Sequence, residues 1–355
     1  MKKVLLALTH FCFLSLAAGT LAPMGPTPNE QAAGIQHNQQ LRKSFFSWQN
    51  RSQFKVDRPF SELEKTGYLL FHSDNYYDTS VIKDTLASNL PAGVKLIVYT
   101  DVPSLVGSLR NHYEPLAGKS NLEVLGLKYR ASDRAIWARD NTPIPVLLTE
   151  PSPNGTKWGA IDAVYYGGDE PDSALAGFFH INLGKNPYQF EGGNFVTDPK
   201  GNCVVVNKQP TSQIPDSVFT GTYGCRKLVR LKHVSGIGHA DERVKFINDS
   251  TVLTDTPSYA QQLSDLGYEV RVLPTPVGGR FRTYVNSLSI DNKIFVPVFD
   301  EENDAEALAV YRSFGLDVFP LNSENISDNG NGSIHCITMT YPKMELSELK
   351  NLLFR

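Results

Sequence analysis

From residue 66 onward, short apolar runs alternate with segments of helical period. TGYLLFHS (66–73) and VKLIVYT (94–100) read as strands, and the intervening DTSVIKDTLASNL (78–90) places its apolar residues at helical spacing. NCVVVN (202–207), STVLTD (250–255), YEVRVLP (268–274) and KIFVPVF (293–299) read as further buried strands. SYAQQLSDLG (258–267) and DAEALAVYRSFG (304–315) read as helices, each closing on a glycine suited to a C-terminal cap. The pattern predicts an α/β protein with many short strands and crossover helices.

The N-terminal end departs from this pattern. MKK followed by VLLALTHFCFLSLAAGTLA reads as a cleaved signal peptide over 1–22, with small residues at Ala17, Gly19, Thr20 and Ala22. The run is interrupted by Thr9 and His10 and is short for a span of about 20 apolar residues. Cys12 lacks the small residue that precedes a lipoprotein cysteine. Residues 23–58, rich in Gln, Asn and Ala, read as a flexible N-terminal segment or a surface-docked arm. With no linker-like stretch after it, 59–355 is expected to be one unit. With 41% hydrophobic residues the chain can bury a large core. A net charge of −3 leaves no basic footprint for nucleic acid or an anionic membrane. The expectation is a secreted or periplasmic protein, off the membrane once cleaved, with an oligomer possible.

Polar motifs recur along this frame. Asp140 ends WARD, Glu191 opens EGGN, Asp241 ends HAD, Asn286 sits in YVNS and Cys336 ends GSIHC, at successive spacings of 51, 50, 45 and 50 residues. Periods of this length suggest a propeller or repeat array in which each unit gives one loop to a common face. Cys336 follows a polar, glycine-rich run, which reads as an exposed, presented thiol rather than a buried structural one.

Together WARDNTP, FEGGNFVTD, GIGHADE, TYVNSLSIDNKIFVPVFD and GNGSIHCITM resemble the agmatine deiminase and bacterial peptidylarginine deiminase family, from about Gly67 to Tyr341. The resemblance implies the pentein fold, a five-bladed pseudo-symmetric α/β propeller of ββαβ-like units with a solvent-shielded funnel along its axis. It implies hydrolysis of a guanidinium without metal or other cofactor.

A guanidinium carbon is a poor electrophile because its charge is spread over three nitrogens. Its hydrolysis needs a strong nucleophile, carboxylates that hold the cation and an acid–base group for the departing ammonia. Cys336 supplies the thiolate. His239 can protonate the leaving nitrogen and then activate water on the thiouronium intermediate. Asp140 and Asp241 can each accept paired N–H bonds from the planar cation. By resemblance, Glu191 orients the histidine, Asn286 is an active-site asparagine, and Trp137 packs on the substrate side chain. His335 is the less suitable base, since neighbours on an extended chain face opposite ways. His239, Asp241 and Glu191 lack the second histidine or paired cysteines of a metal site.

Cys203 and Cys225 either form a disulfide or stay as two buried thiols; a bridge there would contribute about 3 kcal/mol in the chain-entropy model. For the substrate, the export signal and VNSLSIDNKIFVPV favour (peptidyl)arginine, giving citrulline and ammonia. Agmatine, giving N-carbamoylputrescine, comes second. The stretch TKWGAIDAVYYGGDEPD offers Lys157 as its one cation, where secreted enzymes selective for C-terminal arginine place an arginine pair. Glu242 stands where neither branch usually has an acid. An amidinotransferase and a non-catalytic binding pentein are the readings from other classes; the second is disfavoured because Cys336, His239 and both aspartates are present.

Overall fold

The computed structural model describes residues 22–44, 54–129, 134–152, 155–166 and 171–343. The expected signal peptide therefore falls almost wholly outside the described residues. Helix α1 (Pro28–Ser44) and strand β1 (Val56–Pro59) come first. Strand β2 (Thr66–His72), helix α2 (Ser80–Ser88), strand β3 (Lys95–Thr100), helix α3 (Val106–Ala117) and strand β4 (Leu122–Gly126) then make two successive parallel pairings. The one-turn helix α4 (Ala138–Asn141) leads into β5 (Ile144–Leu148), β6 (Trp158–Val164), α5 (Asp172–Phe179) and β7 (Leu183–Gln189). Next come β8 (Val196–Thr197), β9 (Asn202–Asn207), α6 (Asp216–Gly221) and β10 (Lys227–Lys232). They are followed by β11 (Val244–Phe246), β12 (Thr251–Thr254), α7 (Ala260–Ser264) and β13 (Glu269–Val272). The last set is β14 (Leu288–Ile290), β15 (Lys293–Val298), α8 (Asp304–Arg312) and β16 (Asp317–Asn322), after which α9 (Glu324–Gly330) and β17 (Met339–Pro342) end the described chain.

The same local rule builds each set. An antiparallel pair (β5/β6, β8/β9, β11/β12, β14/β15) is followed by a helix and a parallel strand (β7, β10, β13, β16). Parallel neighbours need a crossover connection, and the helix supplies it. Its apolar face joins the buried cluster of its own sheet, as Phe219 does with Val205, Leu263 with Val252, and Tyr311 with Val296. The middle strands β9 and β15 are apolar on both faces, as strands covered on both sides must be. The first set lacks its own antiparallel partner and receives it from the far end of the chain: β17 pairs with β2, Met339 opposite Leu70. The chain thus completes its first unit with its last strand.

Most of the elements read from sequence are present at the expected places, with two differences. Residues 268–274 do form β13, but the strand is mostly exposed rather than buried, because it lies at the edge of its sheet beyond β12. The flexible segment expected at 23–58 is held against the body over its described residues. In α1 the buried Asn38 donates to the carbonyls of Gln189 and Pro210 and accepts from the Gln189 N–H, so its polar side chain is satisfied inside the protein. The boundary at 59 falls on the last residue of β1, which pairs with β5. Cys203 and Cys225 are joined by a disulfide.

Completion of the first unit rests on β17. Tyr341 is fully buried, packs its ring at a steep angle against Trp158 and Phe179 with centroids 5.2 Å from each, and donates its hydroxyl to the Pro143 carbonyl at 2.9 Å. Tyr341→Ala is expected to destabilise the protein by about 3–5 kcal/mol, and Tyr341→Phe by about 1 kcal/mol. Urea denaturation of both variants checks this; an alanine variant as stable as wild type would mean that the closing strand is dispensable.

Candidate active site

Four loops and one terminal turn converge, and they carry the motifs singled out in the sequence. Cys336 sits in a tight turn, its carbonyl accepting from the Arg139 N–H at 3.0 Å. Its thiol lies 3.3 Å from Asn286 Oδ1 and 3.9 Å from Asp241 Oδ2. Asn286 also accepts from the His335 N–H and donates to the Asp241 carbonyl, so it ties two loops to the cysteine turn. His239 is extended and leads into the short 3-10 turn Ala240–Glu242, which brings Asp241 in behind it. The imidazole is flanked by two acids, with Nε2 3.2 Å from Glu191 and Nδ1 3.7 Å from Asp140.

The glycines of EGGN have a steric cause. A Cβ on Gly192 would lie 2.1 Å from the Arg139 carbonyl oxygen, and one on Gly193 2.7 Å from His239 Nδ1 and 2.9 Å from Asp140 Oδ1. The Glu191 loop can press against the Asp140 loop only with bare backbone there. In return the Gly193 N–H donates to Asp140 Oδ1 at 2.8 Å.

Every one of these side chains is buried, so charge must be balanced locally. Burial raises the Glu191 carboxyl, yet the Lys208 ammonium 2.7 Å away and His239 outweigh it and hold it down at about 2. For Asp140 burial wins, helped by Glu191 and Asp241, and its carboxyl sits at about 6. Burial pushes His239 down, but Asp140 and Glu191 carry it up to about 9. Burial drives the Cys336 thiol well above its usual value, and Asp241, Glu242 and Asp140 add to that. Near neutral pH the site therefore holds a neutral thiol beside an imidazolium. Among the described residues, Asp140 Oδ2 and Asp241 Oδ1 have no hydrogen-bond partner, while the other oxygen of each is anchored by Gly193 and by His335. Two fixed carboxylates, each with one oxygen unpaired beside a thiol, suit a planar cation bearing several N–H donors.

The two ends of this centre differ. On one side His335 bridges Asp241 (2.7 Å) to Glu62 (2.8 Å), and Glu62 also binds Arg139 at 2.7 Å and Lys245 at 2.6 Å. These groups border a cavity that continues past Phe60 and Phe195. On the other side the N-terminal arm crosses the loops that lead to the site. The Met24 N–H donates to the Gly330 carbonyl, Trp137 Nε1 to the Ala22 carbonyl, and Glu30 pairs with Arg134.

The structure brings Cys336, His239, Glu191, Asp140, Asp241 and Asn286 together. It corrects the exposed thiol: Cys336 is fully buried, because its turn is roofed by Trp137 and by Met24 from the opposite end of the chain. Trp137 packs against Gly330, Gly332 and Tyr77 and forms the wall of the cysteine loop. His335 lies in a turn, not an extended strand, and serves Asp241 rather than the thiol. Glu62, Lys208 and Lys245 were not anticipated; no local motif marks them. Asp140, Glu191 and His239 have donor atoms within 4.8 Å of one another, a spacing that a cation could use. Lys208 already places a positive charge on Glu191, and a protonated His239 has no lone pair for a metal.

Residues 117–342 match the family of Porphyromonas-type peptidyl-arginine deiminases. No curated protein matches the chain. Among solved structures it is similar to agmatine deiminase of Enterococcus faecalis, with a TM-score of 0.66 and 17% identity over 83% of this chain and 100% of that one. It is also similar to a cysteine-to-serine variant of the C. jejuni agmatine deiminase with substrate bound, with a TM-score of 0.64 and 16% identity over 81% and 96% of the two chains. The fold is the pentein fold.

The Glu62 cluster yields a pH prediction. Burial raises its carboxyl, but Lys245, His335 and Arg139 hold it well below the usual glutamate range. Its stabilising effect is then fully present at pH 7, above the unfolded value of about 4.3, and is lost as pH falls through the depressed folded value. Glu62→Gln should destabilise the protein by about 3–5 kcal/mol at pH 7 by leaving buried cations uncompensated, and should flatten the acid limb of stability against pH. Urea midpoints measured from pH 3 to pH 7 check both effects.

Proposed function

The chain belongs to the Porphyromonas-type peptidyl-arginine deiminase family, hydrolases acting on the guanidino group, and on that premise we propose that its buried centre hydrolyses a small guanidine through a covalent cysteine intermediate. The observation that carries the reading is the pair of unpaired carboxylate oxygens of Asp140 and Asp241 beside the Cys336 thiol. A guanidinium seated between them offsets their negative charge, which favours loss of the thiol proton. The thiolate then bonds to the guanidinium carbon. His239 gives its Nδ1 proton to the departing nitrogen, the C–N bond breaks and ammonia leaves, with a thiouronium on Cys336. The now neutral His239 takes a proton from water, the hydroxide adds to the carbon, and the C–S bond breaks as the added hydroxyl gives up its proton to the released ammonia or solvent, yielding the ureido product and restoring the thiolate. Glu191, fixed by Lys208, holds the imidazole at Nε2 throughout.

The sequence placed peptidyl-arginine before agmatine. The burial of every site residue under the arm at 22–44 supports the opposite order in our reading, since a small guanidine needs a smaller opening than a polypeptide does. Export is part of the proposal: the N-terminal run has signal-peptide form, and the Cys203–Cys225 disulfide suits an oxidising compartment.

Purified protein incubated with agmatine, free arginine and arginine peptides should release ammonia and a ureido product, and Cys336→Ala should abolish both. Asp140→Asn and Asp241→Asn should each lower kcat/KM by about 10²–10³-fold with little loss of fold, as removal of one partner from a buried ion pair does. Full turnover by the alanine variant would sink the covalent route.

The thiol itself gives an independent check. Alkylation of Cys336 by iodoacetamide should be slow at pH 7 and follow an apparent pKa above about 8.5, the ordinary thiol value. A small guanidinium ligand that leaves the sulfur accessible should lower that value. Rapid alkylation with an apparent pKa near 6 in the free protein would show a preformed thiolate–imidazolium pair instead.

A further inference from the structure

Glu242 is a carboxylate that the mechanism does not use. It follows Asp241 on the same short turn, is 2% exposed, and neither of its side-chain oxygens has a hydrogen-bond partner among the described residues. Leaving a buried carboxylate unpaired is costly, and its one sequence-adjacent cation is committed elsewhere: Arg243 bonds to Asp255 at 2.7 Å and to Ser235 at 3.1 Å.

Its position is informative. A Cβ on Gly236 would lie 3.2 Å from Glu242 Oε2, so the carboxylate rests against the bare backbone of the loop that leads to His239. The next residue of that loop, Ile237, lies under Gly25 of the N-terminal arm. Glu242 is thus on the arm side of the thiol. The opposite side, where the cavity past Phe60 and Phe195 opens, carries the cations Arg139 and Lys245 gathered with His335 about Glu62. A positively charged tail on a guanidinium held by Asp140 and Asp241 is repelled from those cations and drawn towards the arm, the side on which Glu242 lies.

Charge counting agrees. With a neutral thiol, Asp140 and Asp241 are matched by the guanidinium and by protonated His239, and Glu191 by Lys208, which leaves Glu242 as the acid in excess. Burial lifts its carboxyl to about 8 against the pull of Arg243, His239 and Lys208, with Asp241 adding to the rise. The group is thus largely neutral in the empty site and gains a partner only when a second cation arrives.

We propose that Glu242 is a specificity-determining residue that selects guanidines carrying a second positive charge, an ammonium at the end of the alkyl tail. This rests on the guanidine deiminase reading and narrows its substrate class to dications.

The test compares agmatine with butylguanidine, the same molecule without its ammonium. Binding of each is measured by calorimetry in the Cys336→Ala background, with and without Glu242→Gln, so that no turnover is needed. Agmatine should bind the Glu242 protein more tightly than butylguanidine, and Glu242→Gln should reduce that ratio by about 10–100-fold, the worth of one charge-assisted contact. A merely structural role would weaken both ligands alike and leave the ratio unchanged, which would overturn the proposal. Binding with the expected ratio but no ammonia from the wild-type protein would overturn the hydrolase reading alone. If neither guanidine binds, both fall.

Discussion

The constraint on which the rest of this molecule depends is the burial of many charges about one axis. Asp140, Glu191, Asp241 and Glu242 are buried and Glu62 is largely so, and water can neutralise none of them freely. Two opposite charges at 4 Å interact by about 4 kcal/mol at an effective dielectric of about 20, so each acid strongly governs the protonation of its neighbours. The cations are distributed unevenly. Lys245, Arg139 and His335 gather on Glu62, and Lys208 serves Glu191, while Asp140, Asp241 and Glu242 face the thiol with less compensation. The rear of the centre is a satisfied ionic scaffold, and its front is an acidic region beside the Cys336 thiol.

Such a centre requires a ring. No single loop carries five acids and their partners at useful angles, but repeated units that each deliver one loop to a shared axis do. The repeated antiparallel pair, helix and parallel strand place those loops at corresponding ends of their sheets, and β17 completes the ring by pairing with β2. The scaffold and the chemistry also meet in single residues. Arg139 binds Glu62 through its side chain and the Cys336 carbonyl through its N–H, so one residue fixes both the rear ion cluster and the Cys336 turn.

The polar loops were legible in the sequence because each is bracketed by apolar strands and marked by glycines that close approach demands, as at Gly192 and Gly193. The spacing of about fifty residues followed from one unit per loop. Glu62 and Lys208 were not legible, since each acts on a partner from another part of the chain and neither lies in a distinctive local pattern. The burial of Cys336 was missed for the same reason: its roof includes Met24, far away in sequence, and composition around a cysteine says nothing about what folds over it. The exposure of β13 depended on sheet order, which hydrophobic pattern alone does not reveal.

In the mechanism we propose, the balance of charge also explains how the Cys336 nucleophile can be stored safely. A permanently ionised thiol is open to oxidation and alkylation. Here burial and nearby acids, Asp241 first among them, keep Cys336 neutral, while Asp140 and Glu191 keep His239 protonated, so that Asp140 acts on both groups. A guanidinium reverses the first effect without abolishing the second. It screens Asp140 and Asp241 from the sulfur, while Glu191 still holds the imidazole at Nε2. On the proposed mechanism the thiolate forms only where there is something for it to attack, with an imidazolium in the same centre already carrying the proton that the leaving ammonia needs.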